Sequence, residues 1–186
     1  MFAKLVHPNE NRDPMARTLP AAHARTHSNE ITRLETQLRA AFEGPAWSGP
    51  STLELLRDVT PVEAATRPIA GAHTIWELVL HLTATYDLVL DRLRGASRKL
   101  TPAEDWPSMA KPTDANWQEA IAALRGRNEA TRVAVLRFDP ANLSAPLVPE
   151  PPYSAYEQFI GLTQHDLYHA GQIALLKRAI RGAPAE

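Results

Sequence analysis

Ser154-Ala-Tyr-Glu-Gln-Phe-Ile-Gly-Leu-Thr-Gln-His165-Asp-Leu-Tyr-His169-Ala-Gly-Gln-Ile-Ala-Leu-Leu176 is the stretch on which the fold turns. Leu162, His165, His169, Ile173 with Gln172, and Leu176 recur at helical spacing, so they share one face of an amphipathic helix. Ser154 with Glu157 forms the signature of a capping box that opens it. Lys177, Arg178 and Arg181 close it before Gly182, where cations suit the negative end of the helix dipole. Two histidines therefore sit on the apolar side of a long helix.

Working back along the chain, residues 140–152 hold five prolines and cannot be helical. Before them Asp114 can open a helix that turns Trp117, Ile121, Leu124, Val135 and Phe138 inward until Pro140 ends it. A loop containing prolines separates it from a helix started by Thr74, whose hydroxyl can cap while Glu77 reaches back. That helix carries Ile75, Val79, Leu82, Tyr86, Val89 and Leu93 on one stripe and stops at Gly95. Further upstream, Ser51 with Glu54 and Thr60 with Glu63 mark short helical pieces in a connector expected to cross space rather than build the core. The first long helix begins near Ser28, carries Ile31, Leu34, Leu38 and Phe42, and stops at Gly44 before Pro45.

Four long amphipathic helices without an alternating strand pattern predict an all-α fold, a four-helix bundle with long crossover connections. The expected organisation is an N-terminal extension over 1–27, a bundle over 28–182 and a short tail over 183–186. The 186 residues are 44 % hydrophobic, enough for one core.

Lys and Arg number 20 against 21 Asp and Glu, so no net field attracts phosphate backbones or anionic lipid, and neither nucleic acid nor membrane is an expected partner. No apolar run approaches a bilayer span and the polar start lacks a secretory core, so the expected location is the cytoplasm. Cysteine is absent, which excludes disulfides, thiolate ligands and a protein-borne thiol nucleophile.

His165 and His169 lie one helical turn apart, so their imidazoles can converge on one ion. The alternative is two core histidines with separate hydrogen-bond partners, an arrangement that asks for two acceptors where one metal satisfies both. His81, in the apolar middle of the second long helix, can meet the pair inside a bundle. Three imidazoles leave a coordination position open, the pattern of catalytic rather than structural sites, and they suit Zn, Ni or Fe better than Ca or Mg.

The segments His73-Thr-Ile-Trp-Glu-Leu-Val-Leu-His81-Leu and Gln164-His165-Asp-Leu-Tyr-His169-Ala-Gly171-Gln172-Ile173 resemble the DinB/YfiT-like superfamily of metalloenzymes. The resemblance spans roughly residues 28–182, with specific motifs in the second and fourth helices. It implies a four-helix bundle, a divalent transition metal held by His81, His165 and His169, and a homodimer. It further implies a low-molecular-weight thiol such as bacillithiol, mycothiol or glutathione as cosubstrate beside a small-molecule substrate. Three activities fit: transfer of the thiol to an electrophile, hydrolysis by an activated water, or metal retention in a non-catalytic stress or interaction protein. No general base falls on the histidine stripe, which disfavours hydrolysis.

Other residues carry weaker signals. His23 and His27 share the HxxxH spacing but stand among alanines and polar residues, and His7 is incidental. His73 is expected at the surface beside the helix cap. Trp76, Tyr86 and Tyr168 are read as packing residues that could instead line a pocket. Gln172 is read as a polar tie or a partner of the ligand shell, Gly171 as a point of close backbone approach, and Asp166 as lying outside the ligand set. Asp87, Asp91, Arg92 and Arg94 are read as a solvated face.

Overall fold

The computed structural model describes residues 19–182. Their helices run α1 (Leu19–Glu43), α2 (Thr52–Leu56), α3 (Pro61–Ala65), α4 (Ile75–Leu93), α5 (Pro102–Asp105), α6 (Asp114–Leu136) and α7 (Ala155–Arg181), with one 3-10 turn at Pro140–Asn142. No strand occurs among the described residues beyond two isolated bridges. The chain is therefore all-α, and no helix among these residues is long and apolar enough to cross a membrane.

The capping chemistry works as the sequence implies. Glu54, Glu63, Glu77 and Glu157 each complete a reciprocal box with Ser51, Thr60, Thr74 and Ser154, satisfying amide donors that a helix start leaves free. Gly44, Gly95 and Gly182 follow their helices with φ of 90°, 88° and 75°, the left-handed conformation that favours glycine as a terminator.

The four long helices pack in a ring: α4 lies against α6 and α7, and α1 lies against the same two. Ile31, Leu34, Leu38 and Phe42 of α1 meet Ile75, Val79, Leu82, Tyr86 and Val89 of α4 in one buried cluster that Leu124, Val135, Phe159, Leu162, Ile173 and Leu176 complete. Trp76 and Trp117, both buried, touch with ring centroids 5.0 Å apart. Burying such side chains contributes roughly 1.5–3 kcal/mol each, which makes this cluster the main source of stability.

Three expectations need correction. Helix α1 starts at Leu19, not near Ser28, so nine further residues join it and only 1–18 of the expected extension, His7 included, fall outside the described residues. The connector builds core as well as crossing space, because Leu53, Leu56, Val59 and Ala64 are buried and Trp117 donates its indole N–H to the Val59 carbonyl at 2.9 Å. Its short helices are amphipathic enough to cover α7 and α4. Finally, the inward stripe of α6 does not jump from Leu124 to Val135 but is filled by buried Asn128 and Thr131.

Thr131 donates to the Arg127 carbonyl of its own helix at 2.8 Å, whereas Asn128 finds its partner on another helix. Asn128 donates to the Tyr86 hydroxyl at 2.7 Å, and Tyr86 donates to Asp166 at 2.5 Å, linking α6, α4 and α7 through one buried chain of hydrogen bonds. Burial raises the Asp166 carboxyl to about 7 despite the opposing hydrogen bond from Tyr86. A buried polar group costs about 1–3 kcal/mol when unpaired, so this chain favours one relative placement of the three helices.

At the other end, α7 is tied to the connector by charge. Lys177 donates to Asp58 at 2.6 Å and to the Leu55 carbonyl at 2.6 Å, while Arg181 reaches Asp58 at 2.7 Å and Glu63 at 2.8 Å. Lys177, followed by Arg181, holds the Asp58 carboxyl well below its usual range, and Arg181 draws Glu63 down to about 2. A depressed carboxylate pKa contributes stability that is present above the unfolded value and lost as pH falls through the folded one. Urea denaturation at a series of pH values from about 6 to about 2.5 is therefore expected to show the gap between wild type and Arg181→Ala narrowing below about pH 4.5. The gap itself is expected to be small and salt-sensitive, because these groups are largely exposed.

Candidate metal centre

His81 lies in the middle of α4 and is buried, as is His169 on α7, with His165 half-buried one turn away. Contact between α4 and α7 brings all three together, and one ligating atom from each lies within 4.8 Å of the other two. The Nε2 of His165 is 3.0 Å from the Nε2 of His81 and 3.0 Å from that of His169. Nitrogens bound about 2.0–2.1 Å from a common ion stand about 2.9–3.4 Å apart for angles between octahedral and tetrahedral. The spacing is compatible with one ion.

The outer nitrogens explain why the Nε2 atoms face inward. The Nδ1–H of His81 donates to the Asp105 carbonyl at 2.9 Å, with the Asp105 carboxylate at 3.1 Å. That of His169 donates to the Gln172 side-chain oxygen at 3.2 Å. In a neutral imidazole a protonated Nδ1 leaves a lone pair on Nε2, so His81 and His169 both present acceptors to His165. His165 has one proton at most to offer its two neighbours when neutral. One close contact is then lone pair against lone pair, a conflict that a cation removes.

Protonation does not relieve this conflict near neutral pH. Burial depresses His165 to about 3 and His169 to about 4, with the neighbouring imidazoles adding to the effect. Neutral imidazoles with orienting partners on their outer nitrogens are the form in which histidine ligates metal.

Trp106, just past α5, stacks on His81 with ring centroids 4.1 Å apart and on its other face against His73 at 3.5 Å. His73 is exposed, as expected, and its ring also approaches Glu77 at 3.5 Å. Neither Asp105 nor Trp106 is apparent from the sequence reading, which treats residues 96–113 as a loop. A signal was present: Thr101 with Glu104 is the same capping box used to place the other helices, and it opens α5 here.

The remaining candidates separate clearly. Gln172 is a partner of His169, and Asp166 is outside the ligand group, tied to Tyr86. Trp76 and Tyr86 are core residues, whereas Tyr168 is exposed and meets the edge of His169 at 5.0 Å. A side chain at Gly171 would meet nothing within 4 Å, so no backbone among the described residues packs closely there. His23 and His27 lie in the first turns of α1. In the supposed solvated face, Asp91 does pair with Arg94 and Arg98 at 3.1 and 2.9 Å, and Asp87 with Arg127 at 2.8 Å. Arg92 departs from it, being 9 % exposed and turned toward α7.

A cleft of about 280 Å³ runs between α4 and α7, with Leu88, Val89 and Leu162 in its walls. His165 lines it, and so do Arg92 and Gln158. Gln158 and His165 are two turns apart on α7, about 10 Å along the helix axis, so the cleft leads away from the histidines.

The polar partner of His169 can be removed without disturbing the core, since Gln172 is only half-buried. Gln172→Leu is expected to weaken divalent-ion binding about 10- to 100-fold while leaving the thermal transition nearly unchanged, measured by competition with a chelator of known affinity.

No curated protein and no solved structure matches the chain. The family profile described as the DinB superfamily matches residues 46–173, a span that holds all three histidines, Trp106, Gln172 and Arg92. With the match extending over well more than half its length, the chain belongs to the DinB superfamily.

Proposed function

We propose that the protein is a divalent-metal-dependent enzyme in which His81, His165 and His169 hold the ion and a low-molecular-weight thiol is transferred to a small electrophile. The observation that carries the reading is the convergence of three Nε2 atoms, two of them with Nδ1–H groups held by Asp105 and Gln172. When bound, a Zn, Ni or Fe ion supplies Lewis acidity that favours the thiolate over the thiol at neutral pH. The thiol gives up its proton, a sulfur–carbon bond forms, and the leaving group departs with its electron pair.

The chain's own residues serve orientation and exclusion of water. Trp106 covers one face of His81, and the apolar cleft walls adjoin His165. With no cysteine in the chain, the sulfur must come from a cosubstrate. Hydrolysis is less well supported, because the acids nearest the triad are engaged: Asp105 by His81 and Asp166 by Tyr86.

Elemental analysis of untagged protein, followed by assays pairing several thiols with several electrophiles, tests the reading. One ion per chain and thiol-dependent turnover are expected, with His169→Ala losing both yet remaining helical by circular dichroism. Stoichiometric metal without thiol consumption would overturn the transferase, and unchanged occupancy in His169→Ala would overturn the ligand set.

We also carry forward the homodimer. Its support is that α7 exposes Tyr168 and Leu175, 65 % and 61 % accessible and two turns apart on one face. Light scattering is expected to give twice the chain mass for wild type and a smaller mass for Leu175→Glu; a monomeric wild type contradicts this.

A further inference from the structure

Among the described residues, Arg92 is a buried cation without a counter-ion. Two of its five N–H donors are used, one by the Gln158 side-chain oxygen at 3.0 Å and one by the Arg98 carbonyl at 3.4 Å, both neutral acceptors. Its Nε is buried and has no partner. The acid that shares the cleft, Glu157, is committed elsewhere, accepting from the amide and the hydroxyl of Ser154 at 2.7 Å each. A guanidinium taken out of water ordinarily has a carboxylate to compensate it. Here the space beside it is the apolar cleft that leads to His165.

We propose that this cleft seats the substrate and that Arg92 is the receptor for its carboxylate, so that the enzyme takes acids with a short apolar body. The proposal rests on the metalloenzyme reading only for which end of the substrate reacts: with the acid at Arg92, the far end lies about 10 Å away beside His165. Carboxylate is favoured over phosphate because the planar fork of a single guanidinium matches a monoanion, and no second cation lines the cleft while Glu157 does.

The test is calorimetric titration of the full chain with octanoate, octanol and octyl phosphate, on metal-loaded protein and again after chelation. Wild type is expected to bind octanoate saturably in both states and more tightly than the other two. Arg92→Gln is expected to bind it about tenfold or more weakly with unchanged metal content. Because Arg92→Gln also alters a buried contact, Gly161→Leu provides a second arm: Gly161 lines the cleft, an added Cβ there meets nothing within 4 Å, and the new side chain is expected to block octanoate while the helix is retained. Binding that is lost on chelation but indifferent to Arg92→Gln would place the acid on the metal and overturn the proposal. Equal affinity for octanol, or tighter binding of octyl phosphate, would overturn it too. Arg92-dependent octanoate binding in a chain that holds no metal would sustain the proposal and refute the metalloenzyme.

Discussion

One imidazole nitrogen, that of His165, within hydrogen-bonding distance of two others, with too few protons to satisfy both contacts, imposes the constraint around which this molecule is organised. Each neutral ring has one donor and one acceptor, and for His81 and His169 the donor is spent outward on Asp105 and Gln172. The inward faces are then electron-rich, and burial opposes protonation of His165 and His169. Such an arrangement is held by the surrounding helices and is compatible with a cation between the nitrogens.

The helices hold it in two ways. Apolar packing of α4 against α6 and α7 sets the approach of His81 to the pair on α7. The buried chain from Asn128 through Tyr86 to Asp166 restricts sliding, because a shift of α4 along α7 would separate Tyr86 from Asp166, the immediate neighbour of His165. Non-directional burial supplies most of the stability here, while directional hydrogen bonds select one register.

Along the same α4–α7 groove, polarity is graded in a manner suited to a small amphipathic molecule. Electron-rich nitrogens stand toward one side, Leu88, Val89 and Leu162 occupy the walls, and an uncompensated guanidinium lies two turns away. The two polar regions have opposite preferences, one for a cation and one for an anion, so a molecule bound between them is oriented as well as retained.

Local chemistry was legible in the sequence. Capping boxes, glycine stops and the helical recurrence of apolar residues depend on neighbours a few positions apart, so they located the four long helices, though not the start of α1, and put His165 and His169 on one face without reference to anything distant. The place of His81 in the apolar middle of the second long helix added it to the pair, and the family motifs around His81 and His169 named the same three residues. What needed tertiary structure was each feature whose partner lies far along the chain: Asp105 and Trp106 reaching His81 from α5, Asn128 meeting Tyr86, the connector closing over Trp117, and Arg92 turning from an apparent charged surface into the α4–α7 cleft. A charged or amide side chain looks the same in a sequence whether it faces water or a buried partner. Only the packing of the helices decides which, because the cost of burial is set by the groups that meet it there.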